Sequence, residues 1–170
     1  RSVHTIFFSV FFFSSRRRHT IFLPVSWARG CVSETDHAPL DEVMEIARRH
    51  DANYEENVVV LVDDSHGVGA FGKTGRGAEE YTGAEPCDVL VGTLGKAFGV
   101  NGGYVTGSES LIRYYRESSP TYIYSNPITP GEARAARTAV ELVDSPEGLK
   151  LLERLRFLTK RFEEGLGRVG

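Results

Sequence analysis

From Ala38 onward, the hydrophobic positions fall into an ordered series of helix-like and strand-like runs. Leu40, Val43, Met44, Ile46 and Ala47 recur at three- and four-residue spacing behind Pro39, which predicts an amphipathic helix ending near His50. Val58, Val59, Val60, Leu61 and Val62 then make an unbroken, mostly β-branched run. That is the pattern of a strand buried on both faces, and it points to a parallel sheet. Further strands are predicted at 88–92 and 103–106, and helices at 108–117, 130–145 and 147–165. Ser145 stands where it can cap the last helix, and Leu151, Leu155, Leu158 and Phe162 line one of its faces. Helix and strand alternate, so the predicted class is α/β.

Residues 1–30 do not continue this order. An aromatic block, Phe7, Phe8, Phe11, Phe12 and Phe13, runs into Arg16, Arg17 and Arg18. The block is too short for a membrane span, which needs about 20 apolar residues. Its basic run follows the apolar one, the reverse of a secretory signal, and the clustered charges do not form the basic face of an amphipathic anchor. The segment resembles translated sequencing-adapter sequence and is expected to be unrelated to the rest or artefactual, so no function is read from it. Because the chain starts at Arg1 and stops at Gly170 directly after a helical pattern, it is expected to be a fragment of a longer product.

Composition narrows the partners. The 170 residues are 41% hydrophobic and 25% charged, enough to bury a core. A formal net charge of -3 gives no basic face for nucleic acid or an anionic membrane, and neither partner is expected. Cys31 and Cys87 are too few for a disulfide framework and lack C-x-x-C spacing, which makes the cytoplasm the expected compartment.

Two phosphate-binding patterns overlap at Gly67-Val68-Gly69-Ala70-Phe71-Gly72-Lys73-Thr74. As a P-loop the segment would have to open directly into a helix, but Gly75 and Gly77 follow Thr74 and break the helix start where a phosphate would sit. As a dinucleotide fingerprint, with Asp88 as the ribose-binding acid, it would have to follow its strand at once. Here Asp63-Asp64-Ser65-His66 intervenes. The plainer reading is a mobile glycine loop beside a site.

The chemistry lies in two other places. Asp63, Asp64, Ser65 and His66 stand at the carboxyl end of the predicted Val58 strand, where α/β sheets place their ligands. Such a cluster can also be a set of satisfied polar residues closing a strand. A metal site is not expected, because no second ligand cluster with recognisable spacing accompanies it. Val91-Gly92-Thr93-Leu94-Gly95-Lys96-Ala97-Phe98-Gly99 follows the next strand. A lysine there either reaches water, as most loop lysines do, or has its charge managed so that the amine becomes a nucleophile for carbonyls.

Together the two motifs resemble the α-oxoamine synthase family of fold-type I enzymes, which depend on pyridoxal phosphate (PLP). Asp-Asp-Ser-His at 63–66, Gly-Arg-Gly at 75–77, Gly-Thr-Leu-Gly-Lys-Ala at 92–97 and Tyr124-Ser125-Asn126 follow the family's order and approximate spacing, over roughly residues 31–170. The resemblance implies that residues 31–145 are the C-terminal part of an aspartate aminotransferase-like large domain, and that 146–170 begin the small C-terminal domain. It implies that Lys96 binds PLP covalently and moves the substrate α-proton, that Asp63 pairs with the pyridinium nitrogen, and that His66 bonds the ring's phenolic oxygen. Thr93 would hold the phosphate, Ser33 would lie near the ring, and Ser125 with Asn126 would reach the phosphate of the neighbouring subunit in a homodimer. Asp64 and Ser65 would support the turn. The substrates implied are an amino acid and an acyl-CoA. Ser65 makes the chain most similar to the glycine C-acetyltransferase branch (2-amino-3-ketobutyrate CoA ligase), which joins glycine to acetyl-CoA; the alternative is 8-amino-7-oxononanoate synthase or another member with a different acyl-CoA or amino acid. A cofactor-free scaffold subunit is disfavoured because Lys96 is retained. The family's ring-stacking residue, phosphate loop and carboxylate-binding arginine find no match in the chain, so the 170 residues alone are expected to be inactive.

Overall fold

The computed structural model describes residues 37–55 and 57–169, and the backbone of residues 4–8. Helix α1 (Leu40–His50) buries Leu40, Met44 and Ala47, the stripe expected from their spacing, with Pro39 at its N-cap position. A single 3-10 turn, Asp51–Asn53, follows it. Strand β2 (Leu61–Asp63) runs parallel to β3 (Val89–Thr93), with Asp63 in register with Val91. Their alignment begins earlier: Asp88 and Val89 both donate their amides to the Val60 carbonyl at 3.1 Å, and Val60 N donates to Asp88 Oδ2 at 2.8 Å. Strand β4 (Gly103–Gly107) is antiparallel to β3, and β1 (His4–Phe8) is antiparallel to β4, giving the order β1-β4-β3-β2. The sheet is therefore mixed, and only the β2–β3 pair meets the expectation of parallel strands. β1 falls in the segment expected to be unrelated to the rest. It joins by main-chain pairing along the free edge of β4, which an extended segment can do whatever its side chains.

Strand alternation sends two sets of side chains to opposite faces of the sheet. Val60 and Val62 pack with α1 and with Ala78 at the start of the short α2 (Ala78–Thr82). Val89, Val91 and Val105 pack on the other face against Ile112 of α3 (Glu109–Ser118). Helices thus cover both faces, and each fully buried aliphatic side chain contributes roughly 1.5–3 kcal/mol. One expectation fails here. The run at 58–62 is not buried on both faces: Val59 is 61% and Leu61 47% exposed, because β2 is an edge strand and α3 covers the neighbouring β3 and β4 on that side.

The C-terminal half is helical. After α4 (Pro120–Tyr124) comes α5 (Pro130–Val143), started by a full capping box in which Thr129 Oγ1 accepts from Glu132 N and Thr129 N donates to Glu132 Oε2. Ser145 Oγ accepts from Glu147 N and Gly148 N at the head of α6 (Pro146–Val169), the capping role its position predicts. The stripe expected on α6, Leu151, Leu155, Leu158 and Phe162, is exposed throughout; the leucine that α6 buries is Leu152, which lies outside that stripe. No described helix is long and apolar enough to cross a membrane.

Candidate active site

The carboxyl ends of β2 and β3 lie side by side, and the residues singled out in the sequence leave the sheet there. Asp63 is the last residue of β2 and is exposed; its Oδ1 accepts from Ser65 N at 3.1 Å. His66 follows in an exposed turn. Thr93 ends β3, and alternation puts it on the same face as Val91 and therefore as Asp63. Lys96 stands three residues beyond, exposed at the outer part of a loop that returns to β4.

The loop is held at its base. Leu94 is fully buried, its amide donates to Gly102 O at 2.9 Å, and its carbonyl accepts from Val100 N at 2.8 Å. Thr93 Oγ1 donates to Gly102 O and accepts from Gly95 N, both at 3.2 Å. The threonine expected to hold a phosphate thus also shapes the turn that presents Lys96.

Adjacent aspartates take opposite roles because they point to opposite faces. Asp64 is 6% exposed; its Oδ2 accepts from Ala78 N at 2.8 Å, and its carbonyl accepts from Gly67 N and Val68 N. Burial, opposed by the hydrogen bond from Ala78, pushes its carboxyl above the ordinary value. A Cβ at Gly67 or Gly77 would lie 2.1 Å and 1.9 Å from its oxygens, so glycine is required where the chain wraps this carboxylate. Asp64 is thus buried and bonded within the turn, whereas Asp63 is exposed. Tyr104 pairs with Gly92 on the Asp64 side of the sheet, and burial together with the Asp64 charge pushes its phenol up to about 12.

The glycine segment departs from a mobile loop. It is a hydrogen-bonded hairpin, with Gly69 N donating to Gly75 O at 2.8 Å, Gly77 N to Phe71 O at 3.1 Å, and a bridge between Val68 and Arg76. Glu80 accepts from Thr74 N, Thr74 Oγ1 and Arg76 N, and these bonds outweigh its desolvation to hold its carboxyl below the usual value. Glu80 was not foreseen. Its signal is its place three residues after the Gly77 N-cap, where a glutamate reaches back over a helix start. The next helix begins at Ala78 rather than at Thr74, which removes the P-loop reading. Asp88 is engaged by Arg48 and by Val60 N, which removes its ribose-binding role.

The remaining candidates belong to other segments. Ser125 caps α4, donating its amide to Thr121 O at 2.9 Å, and Asn126 is exposed in the connection to α5. Ser33 lies outside the described residues. Among the described residues, no three His, Cys, Asp or Glu side chains are placed to hold a metal ion.

The donor set fits PLP. An exposed carboxylate, an imidazole, a hydroxyl and an exposed primary amine share one end of a parallel strand pair, which supplies partners for a pyridinium nitrogen, a phenolic oxygen, a phosphate and an aldehyde.

Comparison with known proteins identifies the family. The sequence profile of a family described as aminotransferase class I and II matches residues 35–170. An 8-amino-7-oxononanoate synthase of Geobacter metallireducens is 41% identical over 136 residues, 79% of this chain and 33% of that protein. The enzyme of the same name from Thioalkalivibrio sulfidiphilus is 42% identical over 135 residues, 78% of this chain and 32% of that protein. Among solved structures, a serine palmitoyltransferase from S. paucimobilis with a bound PLP–myriocin aldimine superposes with a TM-score of 0.70 at 30% identity, covering 79% of this chain and 33% of that one. The chain spans about a third of the length of the curated relatives it matches.

Proposed function

The chain belongs to the class I and II aminotransferase family, of PLP-dependent fold type I, and on that premise we propose that it carries the lysine-bearing part of an α-oxoamine synthase. Such an enzyme joins an amino acid to the acyl group of an acyl-CoA. The observation that carries the reading is the placement of Lys96 on the loop after β3, the strand that pairs in parallel with the one ending in Asp63, whose face of the sheet Asp63 shares with Thr93.

PLP, when bound, would supply an electron sink for the carbanion that forms at the amino acid's Cα. Lys96 provides the amine that attaches the cofactor and then takes or returns the proton at Cα. Asp63, exposed at the end of its strand, would pair with the pyridinium nitrogen and so favour its protonated form, which the electron sink requires. His66 orients the ring through its phenolic oxygen, and Thr93 reaches the phosphate. The resemblance assigns Ser33, outside the described residues, a place near the ring, and Ser125 with Asn126 would contact the phosphate of the neighbouring subunit in a homodimer.

The relatives favour 8-amino-7-oxononanoate over the product of the glycine C-acetyltransferase branch that Ser65 suggests. Carbon bookkeeping on that product identifies the substrates. An amine at carbon 8, a terminal methyl and a ketone at carbon 7 correspond to alanine without its carboxylate, joined to a seven-carbon dicarboxylic acyl group. The new bond forms between Cα and the acyl carbon, the CoA thiolate leaves, and the carboxylate departs as carbon dioxide. With glycine and acetyl-CoA, the carboxylate would stay in 2-amino-3-ketobutyrate.

The test uses the complete protein with PLP. The lysine-linked visible absorbance should be removed by borohydride and absent in Lys96→Ala, and a panel of alanine or glycine with acyl-CoAs of increasing length should favour alanine with the long dicarboxylic chain. Turnover of glycine with acetyl-CoA instead would select the second reading. ATP binding with no lysine-linked absorbance would overturn both.

A further inference from the structure

We propose that Gly69 is a positioning residue for Lys96, because the glycine hairpin presses its Cα against Ala97 and thereby sets the main chain of the lysine loop. This rests on the reading of Lys96 as the PLP-binding lysine. A Cβ at Gly69 would lie 2.5 Å from Ala97 Cβ and 3.2 Å from Phe98 Cζ. Ala97 has no rotatable side chain that could swing clear. Any group added at 69 therefore displaces the backbone one residue from Lys96.

Both sides of the contact are braced. Behind Gly69, the hairpin is tied at its base by the Asp64 bond to Ala78 N, across its middle by Gly69 N to Gly75 O, and at its tip by Glu80. Its far side rests on α5 and α6, where a Cβ at Gly75 would lie 3.2 Å from both Val143 Cγ1 and Leu152 Cδ1. Arg156 Nη2 also donates to the carbonyls of Gly72 and Lys73 at 2.8 Å and 3.0 Å. On the other side, the lysine loop is fixed at both ends by buried Leu94 and by Gly102, which abuts Ile128. A displacement is thus confined to residues 95–99. The hairpin that imitates a phosphate loop in sequence is a strut between the lysine loop and the C-terminal helices.

The test compares variants of the complete, PLP-loaded protein. Gly69 has φ +79°, so Gly69→Ala adds backbone strain as well as the clash; Gly83, at φ +72° with no atom within 4 Å of a Cβ, isolates the strain. Gly69→Ala should slow borohydride-trappable attachment of PLP to Lys96, read by mass spectrometry, and lower kcat roughly tenfold to a hundredfold, with KM for the acyl-CoA little changed. Gly83→Ala should leave each of these near the parent value, and Ala97→Gly added to Gly69→Ala should recover most of the loss. If Gly69→Ala does not fold, Ala97→Val probes the same contact from the loop side without strain at 69, and it should give the same loss of attachment and of kcat. Gly69→Ala matching Gly83→Ala, a double variant with no recovery, or an Ala97→Val of parental behaviour would overturn the proposal. A parent protein that never attaches PLP at Lys96 refutes the functional reading instead, so the two failures are distinct.

Discussion

Asp64→Ala removes the acceptor of a buried hydrogen bond and adds no bulk. The bond from Ala78 N is 2.8 Å long and its acceptor is 6% exposed, so water does not simply take its place. A hydrogen bond to a charged group contributes about 1.5–3 kcal/mol. Against this, the substitution relieves the desolvation that pushes the Asp64 carboxyl up. The net expected loss is about 1–2 kcal/mol, a factor of about 5–30 in the local opening equilibrium. Hydrogen exchange of the Ala78 amide reads it directly, because that amide is the group set free. At about pH 7, exchange should quicken by that factor in Asp64→Ala and by much less in Asp64→Asn, which keeps an oxygen acceptor. The pH dependence has a definite sign. A carboxyl raised on folding favours the folded state most below its ordinary value of 3.8, and this advantage declines as pH rises through the folded value. The gap between parent and Asp64→Ala should therefore narrow over that interval and then stay constant. An Ala78 amide whose exchange is unchanged within about twofold would refute the account of Asp64 as the anchor of the hairpin.

Gly92→Ala should destabilise by about 1–3 kcal/mol through overpacking, since its Cβ would lie 2.3 Å from Tyr104 Cζ across the β3–β4 pair. Adding Tyr104→Ala should restore part of that loss, and strict additivity in the double-mutant cycle, measured by urea denaturation, would count against the contact. Glu80 carries the opposite pH sign to Asp64: its lowered carboxyl supports the fold above the ordinary value of 4.5, and that support is lost as pH falls through the folded value. The urea midpoint of Glu80→Gln should lie below that of the parent at about pH 7 and converge with it as pH falls through the folded value; a constant offset would show that Glu80 does not clamp the hairpin through its charge.

Much of the chain was legible from local pattern. The helix at Leu40–His50, the strand expected at 88–92 and found at Val89–Thr93, and the Ser145 cap follow from spacing and capping chemistry, which act within a few residues. The same locality made Asp63, Thr93 and Lys96 visible as strand-end residues, and their resemblance to one family joined them. What local pattern could not supply was the partner across space. The run at 58–62 reads as fully buried, but the cover of a strand face depends on which helix packs beside it, and Val59 and Leu61 are left open. The glycines at 67–77 read as a loose loop or a phosphate cradle, because their need for space comes from Asp64, Ala97, Val143 and Leu152, residues up to dozens of positions away. Composition and periodicity by themselves determined the class and most of the elements, and the motifs' resemblance to one family singled out the lysine. Tertiary structure alone decided what Asp64 is buried against and what holds the lysine loop still, because a side chain's surroundings depend on the face its strand presents and on the atoms the fold brings against it.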